Sequence, residues 1–245
     1  MGILAHYTSV QTLESIVDGK SMDNASVHLF ATQASFLNDP TENEIMMNYL
    51  NDNYTSMAIK DEEYWTGYPF SVSFSELLDD LNQWRVYGDD GSGVALIFAI
   101  DKNEIIQLNF QYTIDAYKVE YMEDIDTIIK ELKSVDSIER TDVKRLYQLY
   151  RLGLQYKIKY YEPEQEWRIV AHTGNIYHYR FRYDKGFIIP YVEIKLPIDC
   201  IAGVKLGPCI SAENRQKVYK SVNKLSHDIK ITESQIPYRP LSKYE

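Results

Sequence analysis

What most constrains this chain is the order of its hydrophobic periodicities: helix-like patterns concentrate early, and strand-like segments crowd the final third. Trp167 to Ala171, Tyr177 to Tyr183, Phe187 to Leu196 and Ile201 to Leu206 follow one another, and Pro208 breaks the series. They are rich in the β-branched and aromatic side chains that suit a pleated, half-buried surface. Helices followed by strands imply an α+β fold with a mixed, largely antiparallel sheet flanked by helices. The sequence holds no internal repeat, low-complexity tract or long linker. Its 245 residues are therefore expected to form a single domain over 1–245, long enough for a sizeable core.

The early elements carry their own boundary signals. A strand over Ile3 to Tyr7 meets a turn at Thr8-Ser9, then an amphipathic helix over Val10 to Val17 that stops near Gly19 and turns Leu13, Ile16 and Val17 inward. Val27 to Thr32 reads as a strand. Asp39, Pro40 and Glu42 mark the start of a helix leading into Ile45 to Leu50: a short acid caps free amides, proline fits the first helical position, and the glutamate reaches back. Phe70 to Phe74 alternates serine with apolar residues as a strand does, and Leu77 to Tyr87 reads as a helix. Gly88 to Gly93 forces a turn before the apolar strand Val94 to Ile100. That glycine run lacks the lysine and hydroxyl of a nucleotide-triphosphate loop and enters a strand, not a helix. Further on, a strand is expected over 112–121 and helix over most of 123–160, with a break near Ser134 to Ser137. A helix capped by Ser211 and running to about His227, then a strand at Ile229 to Ile231, end the series.

Charge narrows the function classes. A formal net charge of -10 and a pI near 5.1 argue against coating nucleic acid by bulk electrostatics. Residues 36–80 are acidic almost throughout. Arg140, Lys144, Arg145, Arg151, Lys157 and Lys159 make a basic stretch that reads first as a solvated helix face and second as a phosphate-binding surface. No apolar run approaches the roughly 18–20 residues of a membrane span, and the N-terminus lacks a signal-peptide pattern, so no membrane partner and a cytoplasmic location are expected. Cys200 and Cys209 suit a reducing compartment; no histidine or cysteine cluster has metal-ligand spacing. The 21 tyrosines serve equally for stacking on a base or nicotinamide and for half-buried sheet surface.

Glu164-Gln165-Glu166-Trp167-Arg168 is the segment that most invites chemistry. In an extended chain Glu164 and Glu166 would point to one side and Gln165 to the other, a carboxylate pair at the mouth of a strand. Taken with His6-Tyr7-Thr8-Ser9, Leu37-Asn38-Asp39-Pro40-x-Glu42, Ser71-x-Ser73, Trp84-Arg85-x-Tyr87-Gly88, and the later Gly207-Pro208 and Asn214, the segment resembles an uncharacterised bacterial family known only as a domain of unknown function. That family in turn looks like a distant branch of the ADP-ribosyltransferase superfamily.

The resemblance implies a split mixed sheet with NAD bound in its cleft, as substrate. It gives His6 the first-strand role, Ser71 and Ser73 or else Tyr87 the second, and Glu166 the catalytic glutamate, with Glu164 as the acceptor-directed acid. Tyr7 and Thr8 lie beside His6. Cleavage of the nicotinamide–ribose bond passes through a sugar cation, which a carboxylate such as Glu166 stabilises, while Glu164 takes the acceptor's proton. His6 would donate to ribose or pyrophosphate, Tyr7 or Tyr87 would stack on nicotinamide, and Arg168 or Arg85 would pair with the pyrophosphate. The acceptor is a nucleic acid or a protein, the biological setting that of a toxin or phage-defence effector, with room for an inhibitory partner. The rival readings are an NAD glycohydrolase and a non-catalytic nucleotide-sensing or interaction module.

The same residues also have plainer readings. Glu164 and Glu166 would be strand-edge acids or partners of Arg168, Trp84 and Trp167 core anchors, Asn38 and Asp39 a turn and a cap, and Ser71 and Ser73 solvent-facing.

Overall fold

Short polar side chains decide where the helices begin. In the computed structural model, Ser9 Oγ accepts the Thr12 amide at 3.1 Å and starts α1 (Val10–Asp18). Asp80 accepts from Asn82 and Gln83 ahead of α2 (Leu81–Val86). Asp101 accepts from Asn103 at α3 (Lys102–Leu108), and Asp124 from Thr127 at α4 (Ile125–Val135). Ser211 accepts from Asn214 at α5 (Ala212–Leu225), the capping expected of it.

The structure describes residues 2–19, 25–37, 69–135, 152–184, 186–226 and 228–239. The helix expected from Asp39 to Leu50, and Arg140, Lys144, Arg145 and Arg151 of the basic stretch, lie outside the described residues.

The strands are β1 (Ile3–Thr8), β2 (Ser26–Gln33), β3 (Phe70–Ser75), β4 (Val94–Ala99), β5 (Thr113–Lys118), β6 (Glu120–Met122), β7 (Tyr156–Ile158), β8 (Glu166–His172), β9 (Arg180–Asp184), β10 (Phe187–Pro197), β11 (Ile201–Leu206) and β12 (Ile231–Glu233). The fold is mixed α+β with a largely antiparallel open sheet. β6 and β7 form a separate parallel pair. The chain divides into two compact units, Met1–Leu29 with Ser73–Leu108 and Lys195–Glu245, and Phe30–Val72 with Asn109–Ile194. β2, β3 and β10 contribute residues to both.

In the first unit the strand order is β12-β11-β4-β1-β3. β1 and β4 run antiparallel from Ile3↔Ala99 to Thr8↔Val94. α1 buries Val10, Leu13, Ile16 and Val17 and packs on α5, which buries Val218 and Val222. Each such aliphatic side chain contributes about 1.5–3 kcal/mol on leaving water. The turn before β4 holds Asp89, Asp90 and Gly91 at positive φ, and a Cβ at Gly93 would sit 2.2 Å from the Thr8 carbonyl oxygen, so only glycine fits there.

In the second unit β3 pairs β2 and β8, β8 pairs β5, and β10 pairs β9. β5 and β8 run antiparallel from Thr113↔His172 to Lys118↔Trp167. Ile169, Val170 and Ala171 are fully buried.

Several expected elements differ. The helix read across 123–160 gives way by Tyr156, because Tyr156–Ile158 pairs in parallel with β6 and Lys159–Glu164 forms a 3-10 turn. The strand read over 112–121 splits at Val119, whose amide bonds to the Glu166 carbonyl. The helix read over Leu77 to Tyr87 is confined to Leu81–Val86 by the Asp80 cap, and Tyr177 belongs to a 3-10 turn before β9.

Candidate functional site

Glu166 sits among charges that neutralise it. β7 brings Lys157 alongside Tyr121 of β6, and the 3-10 turn that follows carries Glu164. Gln165 then adopts a left-handed conformation, φ 46° and ψ 49°, and β8 opens at Glu166. The strand alternation expected to place Glu164 and Glu166 on one side is therefore absent, since Glu164 is not in the strand. Lys157 brings the two acids together instead, its Nζ donating to Glu164 Oε2 at 2.7 Å and lying 2.8 Å from Glu166 Oε2.

Arg168 completes the cluster. Its Nε donates to Glu166 Oε1 at 2.7 Å, its Nη2 to Oε2 at 3.0 Å, and its Nη1 to the Leu154 carbonyl at 2.8 Å. Glu166 and Lys157 are each 5% exposed and Arg168 2%, so these three charges compensate one another away from water, with the partly exposed Glu164 at the edge of the cluster. Burial pushes the Glu166 carboxyl up, but Arg168 and Lys157 outweigh it and bring it from 4.5 down to about 2. Tyr121 Oη accepts the Glu166 amide at 2.8 Å. Its own pKa is raised to about 12, chiefly by burial. Lys157 and Tyr121 were absent from the expected site. Sequence spacing gave no signal for them, because a short parallel pairing places them.

The remaining expected residues divide between the units. Ser71 lies with Glu164, Glu166 and Arg168 in the second, while His6, Tyr7, Thr8, Ser73, Arg85 and Tyr87 lie in the first. His6 is half-buried, and its Nδ1 donates to the Ser73 carbonyl at 2.9 Å. Burial lowers its pKa, against the raising influence of that bond, so at neutral pH the ring is uncharged. With Nδ1 carrying the proton, Nε2 is an acceptor. A proton given from Nε2, as a donor role for His6 would need there, is not what this tautomer offers.

Tyr7 is a core residue. Its ring stands edge-on to Trp84 with centroids 4.8 Å apart, its hydroxyl donates to the Leu77 carbonyl at 2.7 Å, and it accepts the Asp80 amide. Thr8 is buried, Ser73 and Tyr87 are half-buried, and Arg85 is exposed on α2. Ser71 is 3% exposed, and its Oγ has no hydrogen-bond partner among the described residues. No group of three histidine, cysteine, aspartate or glutamate side chains among the described residues is placed to hold a metal ion, and no helix among them is long and apolar enough to cross a membrane.

Residues 83–169, about a third of the chain, match the model of a family described as a protein of unknown function (DUF2971). That span runs from α2 to the fourth residue of β8 and takes in Lys157, Glu164, Glu166 and Arg168. No curated protein and no solved structure matches the chain.

Proposed function

We propose that the chain binds NAD and transfers its ADP-ribose to a macromolecular acceptor, a nucleic acid or a protein, in the cytoplasm. One observation carries this reading. Within the second unit β3, which bears Ser71, is hydrogen-bonded to β8, which Glu166 opens. Two strands that a sequence pattern associates with one nucleotide are thus neighbours in sheet order, although Ser71 and Glu166 are 95 residues apart in the chain.

In this reading Glu166 supplies a carboxylate that is ionised at any working pH, which suits stabilisation of a sugar cation and not proton abstraction. To reach a ribose hydroxyl it exchanges one of its Lys157 or Arg168 contacts. Glu164, whose side chain is 19% exposed and pairs with Lys157, is the acid directed at the acceptor. In the first unit, taken by itself, His6 offers Nε2 as an acceptor for a hydroxyl, and Tyr87 is half-buried where Tyr7 is core.

A second reading has its own observation. Both oxygens of Glu166 are occupied by protein donors, as in a purely structural ion cluster, and this favours a non-catalytic nucleotide-sensing module.

The deciding experiment incubates the full chain with NAD, with and without lysate, and follows nicotinamide release and labelled ADP-ribose for wild type, Glu166→Gln and Glu164→Gln. All three are compared at a temperature where circular dichroism shows them folded. Release with label on macromolecules, lost in Glu166→Gln, supports transfer. Release without label means hydrolysis. No release, with NAD still raising the melting temperature, means the sensing module.

A further inference from the structure

On the second unit, one face of the sheet gathers anion-binding groups that no carboxylate among the described residues satisfies. Thr32 on β2 and Ser71 on β3 are direct cross-strand partners, so their hydroxyls share a face with Cβ atoms about 5 Å apart. Arg182 on β9 reaches the same face. Its Nη2 donates to Thr32 Oγ1 at 2.9 Å, and its guanidinium carbon lies 5.7 Å from the centroid of the Tyr191 ring, which Phe30 meets edge-on at 5.3 Å.

Two features of this group ask for a ligand. Arg182 is half-buried, yet no carboxylate among the described residues lies within ion-pair distance of it, and the Thr32 hydroxyl is its one hydrogen-bond partner there. A guanidinium has five donors in a fixed fork. Ser71 Oγ, independently, is buried with no partner among the described residues, a condition that native structures rarely leave without a water, ion or ligand to relieve it. Thr32 accepts from Arg182 and so keeps its own proton to give. Ser71 and Arg182 likewise have protons to give, and together the three form a set of donors without a matching acceptor among the described residues. Arg168 and Arg85, the arginines expected to hold a pyrophosphate, sit differently: Arg168 bonds to Glu166 and Leu154, and Arg85 is exposed and hydrogen-bonds Tyr238.

We propose that Arg182, Thr32 and Ser71 form a binding site for a phosphate or pyrophosphate group, the guanidinium fork taking two anionic oxygens and the hydroxyls a third. This deepens the nucleotide reading above and rests on it for the identity of the ligand, though not for the anion chemistry. Burial makes the Arg182 charge costly, lowering its pKa despite Asp184, and a bound anion relieves that cost.

The test is calorimetric titration of the full chain with pyrophosphate, ADP-ribose and NAD, for wild type, Arg182→Gln, Arg182→Lys and Ser71→Ala, with melting temperatures recorded without ligand. Binding of pyrophosphate to wild type, weakened at least tenfold in Arg182→Gln, less in Arg182→Lys, and several-fold in the uncharged Ser71→Ala, supports the site. Equal affinity in wild type and the folded Arg182 and Ser71 variants, or no pyrophosphate binding by wild type, overturns it. Pyrophosphate binding that depends on Arg182, in a chain that never releases nicotinamide, would end the enzyme reading and leave the anion site standing. Normal NAD turnover with unaltered affinity in Arg182→Gln would do the reverse.

Discussion

Glu166 and Arg168, two residues apart on β8, meet as a two-point pair, Nε to Oε1 at 2.7 Å and Nη2 to Oε2 at 3.0 Å, with both side chains buried. Removing one partner of such a pair leaves the other charge stranded. Glu166→Gln is therefore expected to lower the unfolding free energy by about 3–5 kcal/mol, read from urea denaturation. A loss under about 1 kcal/mol would mean that water reaches the cluster and that the pair behaves as a surface one.

The same carboxyl sets an acid limit. Its pKa is about 2 in the folded chain and 4.5 as the ordinary value, so the unfolded chain binds the extra proton between the two. The stabilisation it gives is fully present above about pH 5 and disappears as pH falls toward 2. The stability gap between wild type and Glu166→Gln should narrow across that window. A gap constant from pH 6 to 3 would contradict a depressed Glu166.

How far the sequence discloses this arrangement depends on how local each feature is. Ile201 to Leu206 is the strand its apolar run indicates, and Ser9 and Ser211 cap helices where short hydroxyls precede amphipathic patterns. α3 lay unread although Asp101 announces it, because Lys102 to Leu108 buries only Ile105 and so shows no stripe. At the candidate site, Arg168 as the partner of Glu166 is one of the plainer readings of the segment. Lys157 is not legible there, since it arrives through a three-residue parallel pairing, nor is the left-handed Gln165, a residue type with no special preference for that conformation. Arg182 escapes notice because the strand Tyr-Arg-Phe-Arg-Tyr alternates without saying which face meets Thr32.

His6 should make stability fall on the acid side of neutrality. Its folded pKa lies below 6.5 because burial disfavours the charged ring, so the unfolded chain takes up a proton first as pH drops. Wild type is expected to lose stability from about pH 7 to 5 more steeply than His6→Asn, measured by denaturation at each pH. Nitrogen chemical shifts should show the proton on Nδ1, where it meets the Ser73 carbonyl. An Nε2-protonated ring would refute the acceptor role given to His6.

The two cysteines should differ in reactivity. Burial pushes the Cys200 thiol up to about 12, and the side chain is 7% exposed, so thiolate is scarce at pH 8. Cys209 is half-buried, with its thiol donating to the Tyr238 carbonyl at 3.1 Å. Iodoacetamide under native conditions should label Cys209 first, as read by peptide mass spectrometry. Equal labelling rates would indicate that the turn between β10 and β11 opens freely.

Asp79 ties the C-terminal segment to the first unit's core. Its Oδ1 accepts from Trp84 Nε1 at 2.8 Å and from Ser234 Oγ at 2.7 Å, and its Oδ2 from the Gln235 amide at 3.0 Å, with Lys205 Nζ at 3.3 Å. Burial raises its pKa, but these donors outweigh that and hold it below the usual carboxylate value. Ile236, just beyond, packs on Tyr7, Trp84 and Ala95. Asparagine has one acceptor oxygen in place of two and turns an amide toward donors, so Asp79→Asn should cost on the order of 2–3 kcal/mol. The loss should also be local. Trp84 emission is expected to shift to longer wavelength and residues 234–239 to become cleavable by protease while circular dichroism is unchanged. If stability falls but both local signals stay as in wild type, the segment is held by Ile236 and its neighbours and not by the carboxylate.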